Sequence, residues 1–226
     1  MSLRGIVFDF DGVITNSEPL HFQGFRDILQ QEGVSLPESD YYERYLGFDD
    51  AGAFAAIASD HGRQWSANAI AGLVARKAAL MEEREARHSV LFPGAAEAIR
   101  RLAADGPLAI ASGALRAEIV RILIREQLDR YFTIVVGAED AEASKPSPAP
   151  YLKAVEGLAA RTGSRQPSLY VAIEDSHWGL ESARSAGLRT VAVTHTYPAG
   201  TLVADLTVSN LDDLSWPTLE KLIRDV

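Results

Sequence analysis

From residue 91 onward the chain alternates short apolar runs with amphipathic stretches, and this pattern confines it to one fold class. Residues 107–111, 132–136, 169–173 and 190–193 are compact apolar runs, with helical spacing over 115–130, 148–161 and 179–186 between them. Runs that are apolar at successive positions suit strands covered on both faces, and strand–helix alternation calls for a parallel sheet with right-handed crossovers. Pro93 is expected to open a helix whose inward face is Ala96, Ile99, Leu102 and Ala103. A weaker run at 206–208 reads as an edge strand and 219–223 as a closing helix.

A first strand lies far upstream, at Ile6, Val7 and Phe8, and the pattern beyond it turns helical. Asn16 or Ser17 can cap a helix that admits Pro19 in its first turn, buries Phe22, Phe25, Ile28 and Leu29, and ends near Gly33. Phe54, Ile57 and Ala58 mark another helix, and Ile70, Leu73, Val74, Leu80 and Met81 a further one running toward Arg87. The expected architecture is therefore α/β, a Rossmann-like doubly wound parallel sheet at 1–15 and 89–226, interrupted by a helical-bundle cap at 16–88. Such an insertion suits a lid.

The first strand ends in chemistry. Asp9 stands where open α/β sheets place their ligands, Gly12 permits a sharp exit, and strand alternation aims Asp9 and Asp11 alike with Phe10 pointing away. Two neighbouring carboxylates repel, so one is protonated or a cation lies between them, and an all-oxygen donor set makes magnesium the expected cation. Paired carboxylates can divide phosphoryl transfer, Asp9 as nucleophile and Asp11 as acid and base, although a solvated strand end would carry the same two residues.

Later strand ends carry compatible groups. Residues 109–111 run into Ser112 and Gly113, a hydroxyl and free backbone N–H groups suited to phosphate oxygens. Lys145 lies in a loop stiffened by Pro146 and Pro148. Glu174 and Asp175 follow residues 169–173, and two adjacent acids behind a buried strand require compensation, which the same magnesium can supply. Each also has an ordinary reading, as a turn, a solvated lysine or a surface acid.

Asp9-Phe10-Asp11-Gly12-Val13-Ile14-Thr15 resembles the first motif of the haloacid dehalogenase superfamily. Ser112, Lys145 and the run from Glu174 to Gly187 resemble its second, third and fourth motifs, in order and over essentially the whole chain. With an insertion after the first motif, the chain is similar to the small-capped subfamily that includes phosphoglycolate phosphatase-like enzymes and beta-phosphoglucomutase. The resemblance implies that Asp9 is nucleophile and metal ligand, and that Asp11 is acid and base, ligating through its backbone oxygen. It further implies that Ser112, Gly113 and Lys145 hold phosphate, and that Glu174 and Asp175 complete a magnesium site. The dehalogenases of the superfamily attack carbon without metal, so Asp11, Glu174 and Asp175 favour phosphorus chemistry.

The resemblance implies a phosphatase acting on a small phosphorylated metabolite through an aspartyl-phosphate. A sugar-phosphate mutase is the alternative, and a non-enzymatic phospho-accepting module a remoter one. In the mutase a cap arginine binds a second phosphate, whereas the region around Leu46 and Phe48 offers Asp49 and Asp50, and Leu115 and Arg116 stand where the mutase has a lysine. Conversely, His21 aligns with a cap-entry histidine of the mutase and Lys77 could supply charge, though a polar helix residue and a solvated lysine explain both.

With a formal charge of −9, nucleic acid and anionic membranes are unexpected partners. The absence of cysteine removes disulfides and thiolate chemistry and fits a reducing cytoplasm. No apolar run approaches a membrane span and no secretory leader is visible, so a cytoplasmic monomer or weak homodimer is expected.

Overall fold

The computed structural model describes residues 2–46, 48–85, 87 and 89–224. His88, where the cap is expected to end, and Gly47, within its acidic stretch, lie outside them. The chain forms two compact units, Met1–Asn16 with Val90–Val226, and Ser17–Ser89.

The first unit is built on six parallel strands in the order β3-β2-β1-β4-β5-β6. They are β1 (Gly5–Phe8), β2 (Leu108–Ala111), β3 (Phe132–Val136), β4 (Tyr170–Glu174), β5 (Arg189–Val193) and β6 (Leu206–Val208). All residues of β1, β2 and β4 are buried, as continuous apolar runs require. Phe8 lies opposite Ile110 on one side and Ile173 on the other, so Asp9, Ala111 and Glu174 emerge at one level of the carboxyl edge. The chain leaves β1 toward β2 and β3 and later returns to β1's other side as β4. That reversal is the switch point at which such sheets bind ligands.

The second unit contains α1 (Glu18–Gln31), α2 (Glu38–Asp40), α3 (Asp50–Asp60) and α4 (Ala67–Glu85), with a wide π-type turn at Tyr41–Tyr45. Its core gathers Phe22, Phe25, Leu29, Phe54, Ile57 and Leu73. Ile70, Val74 and Leu80 pack only at its margin. Among the described residues no helix is long and apolar enough to cross a membrane.

Flanking the sheet are α5 (Ala95–Asp105), α6 (Arg116–Arg125), α7 (Ala149–Thr162), α8 (His177–Ser185) and α9 (Trp216–Arg224). Several boundaries differ from the sequence pattern. Pro93 does not open α5, which starts at Ala95 behind Gly94; its buried face is Ala95, Ala98, Ile99 and Leu102, with Ala96 and Ala103 only half-buried. Alanines carry too little bulk to fix a helix's rotation. The stretch expected to be helical to residue 130 stops at Arg125, because Gln127 adopts a left-handed φ of 58° and a short 3-10 turn comes after it at Asp129–Tyr131. Instead of opening at Gly179, α8 begins at His177, with the Ser176 hydroxyl accepting the Gly179 N–H at 3.1 Å.

Candidate active site

Asp9 directly follows β1, and its own N–H is donated to Ile173 of the neighbouring strand at 2.9 Å. One carboxylate oxygen from each of Asp9, Glu174 and Asp175 lies within 4.8 Å of the others, and all three residues are buried. The Lys145 ammonium donates to Asp9 Oδ1 at 2.7 Å and to Glu174 Oε1 at 2.6 Å. One ammonium against three carboxylates leaves the cluster two charges short of balance.

Burial and this imbalance together set the protonation. Burial pushes Asp9 up, Lys145 pulls it down, and the charges of Glu174 and Asp175 push it up again, for a net position well above the usual carboxylate range. Burial and then the Glu174 charge lift Asp175 to about 6, against a hydrogen bond from Thr196 and the charge of Lys145. Burial works against the Lys145 ammonium, but Asp9 and Glu174 more than offset it and hold its pKa above the usual lysine value.

The donor set fits a small hard divalent cation: carboxylates alone, formally two positive charges short, with Asp9 and Asp175 raised in pKa first by burial and then by their neighbours' charges. The backbone makes room for this convergence. Gly12 has φ +81°, and a Cβ there would fall 2.0 Å from Asp175 Oδ2. A Cβ on Gly179 would lie 1.9 Å from the Glu174 Cδ.

Within the cluster Glu174 is the most heavily engaged. Its Oε1 accepts from Lys145 and from the Tyr151 hydroxyl at 2.7 Å. Its Oε2 accepts from the N–H groups of Asp175 and Ser176 and from the Ser176 hydroxyl at 3.1 Å. Five donors match or exceed the roughly four lone-pair positions of a carboxylate.

Asp11 is exposed and its carboxylate lies outside the three-residue group, accepting from the Thr15 hydroxyl at 2.9 Å. The turn thus separates the two acids of the first motif, one turned into the cluster and one toward solvent. Ser112 is buried at the end of β2, where its Oγ accepts the Ala114 N–H at 3.0 Å and keeps its own proton to donate. Ser112, Gly113, Gly137, Ala138, Ser144 and Lys145 line a cavity of about 160 Å³.

Three contributors escape sequence reasoning. Tyr151 reads as a core residue of α7, yet its hydroxyl anchors Glu174 and its ring lies 5.2 Å from the Lys145 ammonium. Thr196 donates to Asp175 Oδ2, and His195 Nδ1 lies 2.9 Å from the Gly12 carbonyl oxygen. The signal that could have found the last two is a polar Thr194-His195-Thr196 segment at the carboxyl end of another buried strand.

In the Ser17–Ser89 unit Lys77 is not solvated but fully buried. It pairs with Asp50 at 2.6 Å, lies 3.0 Å from His21 Nδ1 and sits 4.2 Å from the centre of the Phe25 ring. Asp49 caps α3, accepting the Gly52 N–H at 2.6 Å.

A parallel sheet with an acidic cluster and its partner lysine at the switch point places the protein among the α/β proteins whose ligand site lies at the carboxyl edge of the sheet. More narrowly, the chain belongs to the haloacid dehalogenase-like hydrolase family, which it matches over residues 6–193. It is 31% identical over 207 residues to the protein CbbY of Rhodobacter capsulatus, covering 88% of this chain and 89% of that one. It is 28% identical to a phosphorylated carbohydrates phosphatase of Thermotoga maritima, covering 88% of each chain. The fold superposes on the crystal structure of beta-phosphoglucomutase from Clostridium difficile with a TM-score of 0.77, at 18% identity over 99% of this chain and 98% of the other.

Proposed function

We propose that the protein is a magnesium-dependent phosphatase that hydrolyses a monoester of a small phosphorylated carbohydrate through an aspartyl-phosphate on Asp9. The observation that carries this reading is the charge deficit of the Asp9, Glu174, Asp175 and Lys145 cluster. Buried carboxylates held this way suit a divalent cation and, beside it, a dianionic phosphate. Asp9 and Asp175 would hold the cation with the Asp11 backbone oxygen; Glu174, expected as a further ligand, already accepts five hydrogen bonds and would instead lend charge and anchor Lys145. When bound, the metal supplies positive charge that ionises the nucleophile and draws density from the phosphoryl oxygens.

In the first half-reaction a carboxylate oxygen of Asp9 attacks phosphorus and the ester P–O bond breaks. The departing sugar oxygen takes a proton from the Asp11 carboxyl. In the second, water attacks the phosphorus of the aspartyl-phosphate, Asp11 takes its proton, and the Asp9–phosphorus bond breaks to release inorganic phosphate. Lys145, the Ser112 hydroxyl and the Gly113 N–H hold the equatorial oxygens, where charge accumulates. Asp11 is regenerated within the cycle: it gives a proton to the leaving sugar oxygen in the first step and recovers one from the attacking water in the second.

Two observations support hydrolysis over mutation of a sugar phosphate. Asp50 neutralises Lys77, so the lysine that could have met a second phosphate is already paired, and Asp49 caps a helix. The substrate class follows the Thermotoga maritima relative. With a net charge of −9, a small molecule in the cytoplasm is the fitting partner.

The test is release of inorganic phosphate from a panel of sugar phosphates, with magnesium and with chelator, alongside Asp9→Asn. Magnesium-dependent release that Asp9→Asn abolishes is expected. Isomerised sugar without free phosphate would establish the mutase instead.

A further inference from the structure

The segment after β5 reaches two parts of the site at once. Thr196 donates its hydroxyl proton to Asp175 Oδ2, the oxygen against which a Cβ on Gly12 would collide. One residue earlier, the His195 ring lies with Nδ1 2.9 Å from the Gly12 carbonyl oxygen. A carbonyl only accepts, so Nδ1 carries the proton. The opposite side of the Gly12 turn is closed by its own N–H, donated to Thr15 O at 2.8 Å, while the Thr15 hydroxyl holds Asp11.

The imidazole also stacks on Phe92, with centroids 3.8 Å apart and planes 25° from parallel. Phe92 belongs to the stretch by which the chain re-enters the sheet unit, and it is tied to the outgoing stretch by the bond from Phe92 N to Ile14 O at 3.0 Å. Asn16 N donates to Val90 O in the same ribbon at 2.7 Å. His195 is thus wedged between the turn that carries Asp11 and the returning segment.

We propose that Thr194-His195-Thr196 is a positioning clamp of the active site, in which His195 fixes the Asp11–Gly12 turn and Thr196 aims Asp175 at the metal. This rests on the phosphatase reading for the roles of Asp11 and Asp175. Neither clamp residue touches the reacting atoms. Partners of metal-binding carboxylates govern affinity without ligating, and the His195 N–H adds an anchor from outside to a turn otherwise closed by its own bonds to Phe10 O and Thr15 O.

The test separates donor from ring and hydroxyl from methyl. Thr196→Val should weaken magnesium binding, read by calorimetry on the full chain, about tenfold or more, while Thr196→Ser should stay within about threefold of the wild type. His195→Phe keeps a stacking ring and loses the N–H, and should lower kcat about three- to thirtyfold with KM unchanged. His195→Asn places an amide N–H near the Nδ1 position and should recover kcat to within about threefold of the wild type. Unaltered magnesium affinity in Thr196→Val overturns the clamp, as does a His195→Asn that falls as far as His195→Phe. If the wild type releases phosphate from no sugar phosphate, the functional reading fails, and the Thr196 calorimetry still decides the clamp. A chain that binds no magnesium at all overturns both. Thr196 is exposed, so its variants should fold; if His195→Phe does not, His195→Leu takes its place.

Discussion

The Lys145 ammonium lies 2.7 Å from the Asp9 carboxylate and offsets only part of the burial that raises the pKa of that group. Lys145→Met removes this compensation and leaves Asp9 and Glu174 with an unpaired charge between them. Activity should fall about a hundred- to a thousandfold, the scale for a lost electrostatic group at a reacting centre. The variant's Tm in chelator should drop, and added magnesium should restore part of it, because the cation repays the same deficit. Thermal unfolding with and without magnesium checks this; an unchanged Tm in chelator would mean that the ammonium does not hold the cluster.

Asp9 and Asp11 should fail differently. Asp9→Asn loses the attacking oxygen and should reduce turnover to background, while its magnesium affinity weakens without vanishing. Asp11→Asn retains the nucleophile but cannot move a proton, so both half-reactions slow by about a hundred- to ten-thousandfold. Rapid quenching should then reveal phosphate retained covalently on Asp9 of the Asp11→Asn chain. Equal defects with no trapped phosphate would assign Asp11 a different task.

The cluster also sets a pH dependence. Asp175 sits at about 6 in the metal-free fold, above its ordinary value of 3.8, so folding favours its protonated form. Its contribution to stability is fully present below pH 3.8 and is lost as pH rises through 6. Magnesium selects the ionised form, so binding at pH 6 should release protons, with less release at pH 8 and weaker affinity below pH 6. Calorimetry in buffers of different ionisation enthalpy reads that release directly. Equal release at pH 6 and pH 8 would contradict the position of Asp175.

The strand-end acids are legible in sequence because each closes a buried apolar run, and nothing but a ligand or a partner makes that position tolerable for Asp9, Glu174 or Asp175. Ser112 and Lys145 acquire meaning only through their order relative to those acids. Tyr151 is hidden by its helix, where an aromatic at a core position looks the same whether or not its hydroxyl is used. Lys77 gave a usable sign: it lies four residues from both Leu73 and Met81, on the buried face of α4, where a free lysine would be expensive. The early stop of α6 at Arg125 has no propensity signal, since it depends on one residue adopting a left-handed backbone.

Buried Lys77 and its partner Asp50 should respond unequally to mutation. Asp50→Ala leaves the ammonium enclosed with His21 and the Phe25 ring, and should cost about 2 kcal/mol, less than for a fully enclosed pair because water reaches the carboxylate side. Lys77→Met places an apolar chain of similar length in the same slot and should cost less, leaving Asp50 free to meet solvent. Urea unfolding of both variants and of their double mutant measures the coupling. A larger loss in Lys77→Met than in Asp50→Ala would mean that the ammonium itself organises this unit.

Three glycines near the site should tolerate alanine to different degrees. At Gly113 an added Cβ meets nothing within 4 Å, so Gly113→Ala should leave Tm unchanged, and any effect on KM would report the approach of phosphate. At Gly12 the φ of +81° costs an L-residue about 1–2 kcal/mol, and the methyl would displace Asp175, which is held by a surface threonine. Gly12→Ala should therefore lose magnesium affinity by more than tenfold with only a moderate fall in Tm. At Gly179 the methyl meets the Glu174 carboxyl, which is wholly buried and pinned by five donors. With no room to yield, Gly179→Ala should destabilise the fold by about 2–3 kcal/mol, the cost of overpacking a rigid interior, and loosen Lys145 along with it. Thermal unfolding and magnesium calorimetry across the three variants check the ordering, and a Gly179→Ala chain as stable as Gly113→Ala would mean that Glu174 is free to move.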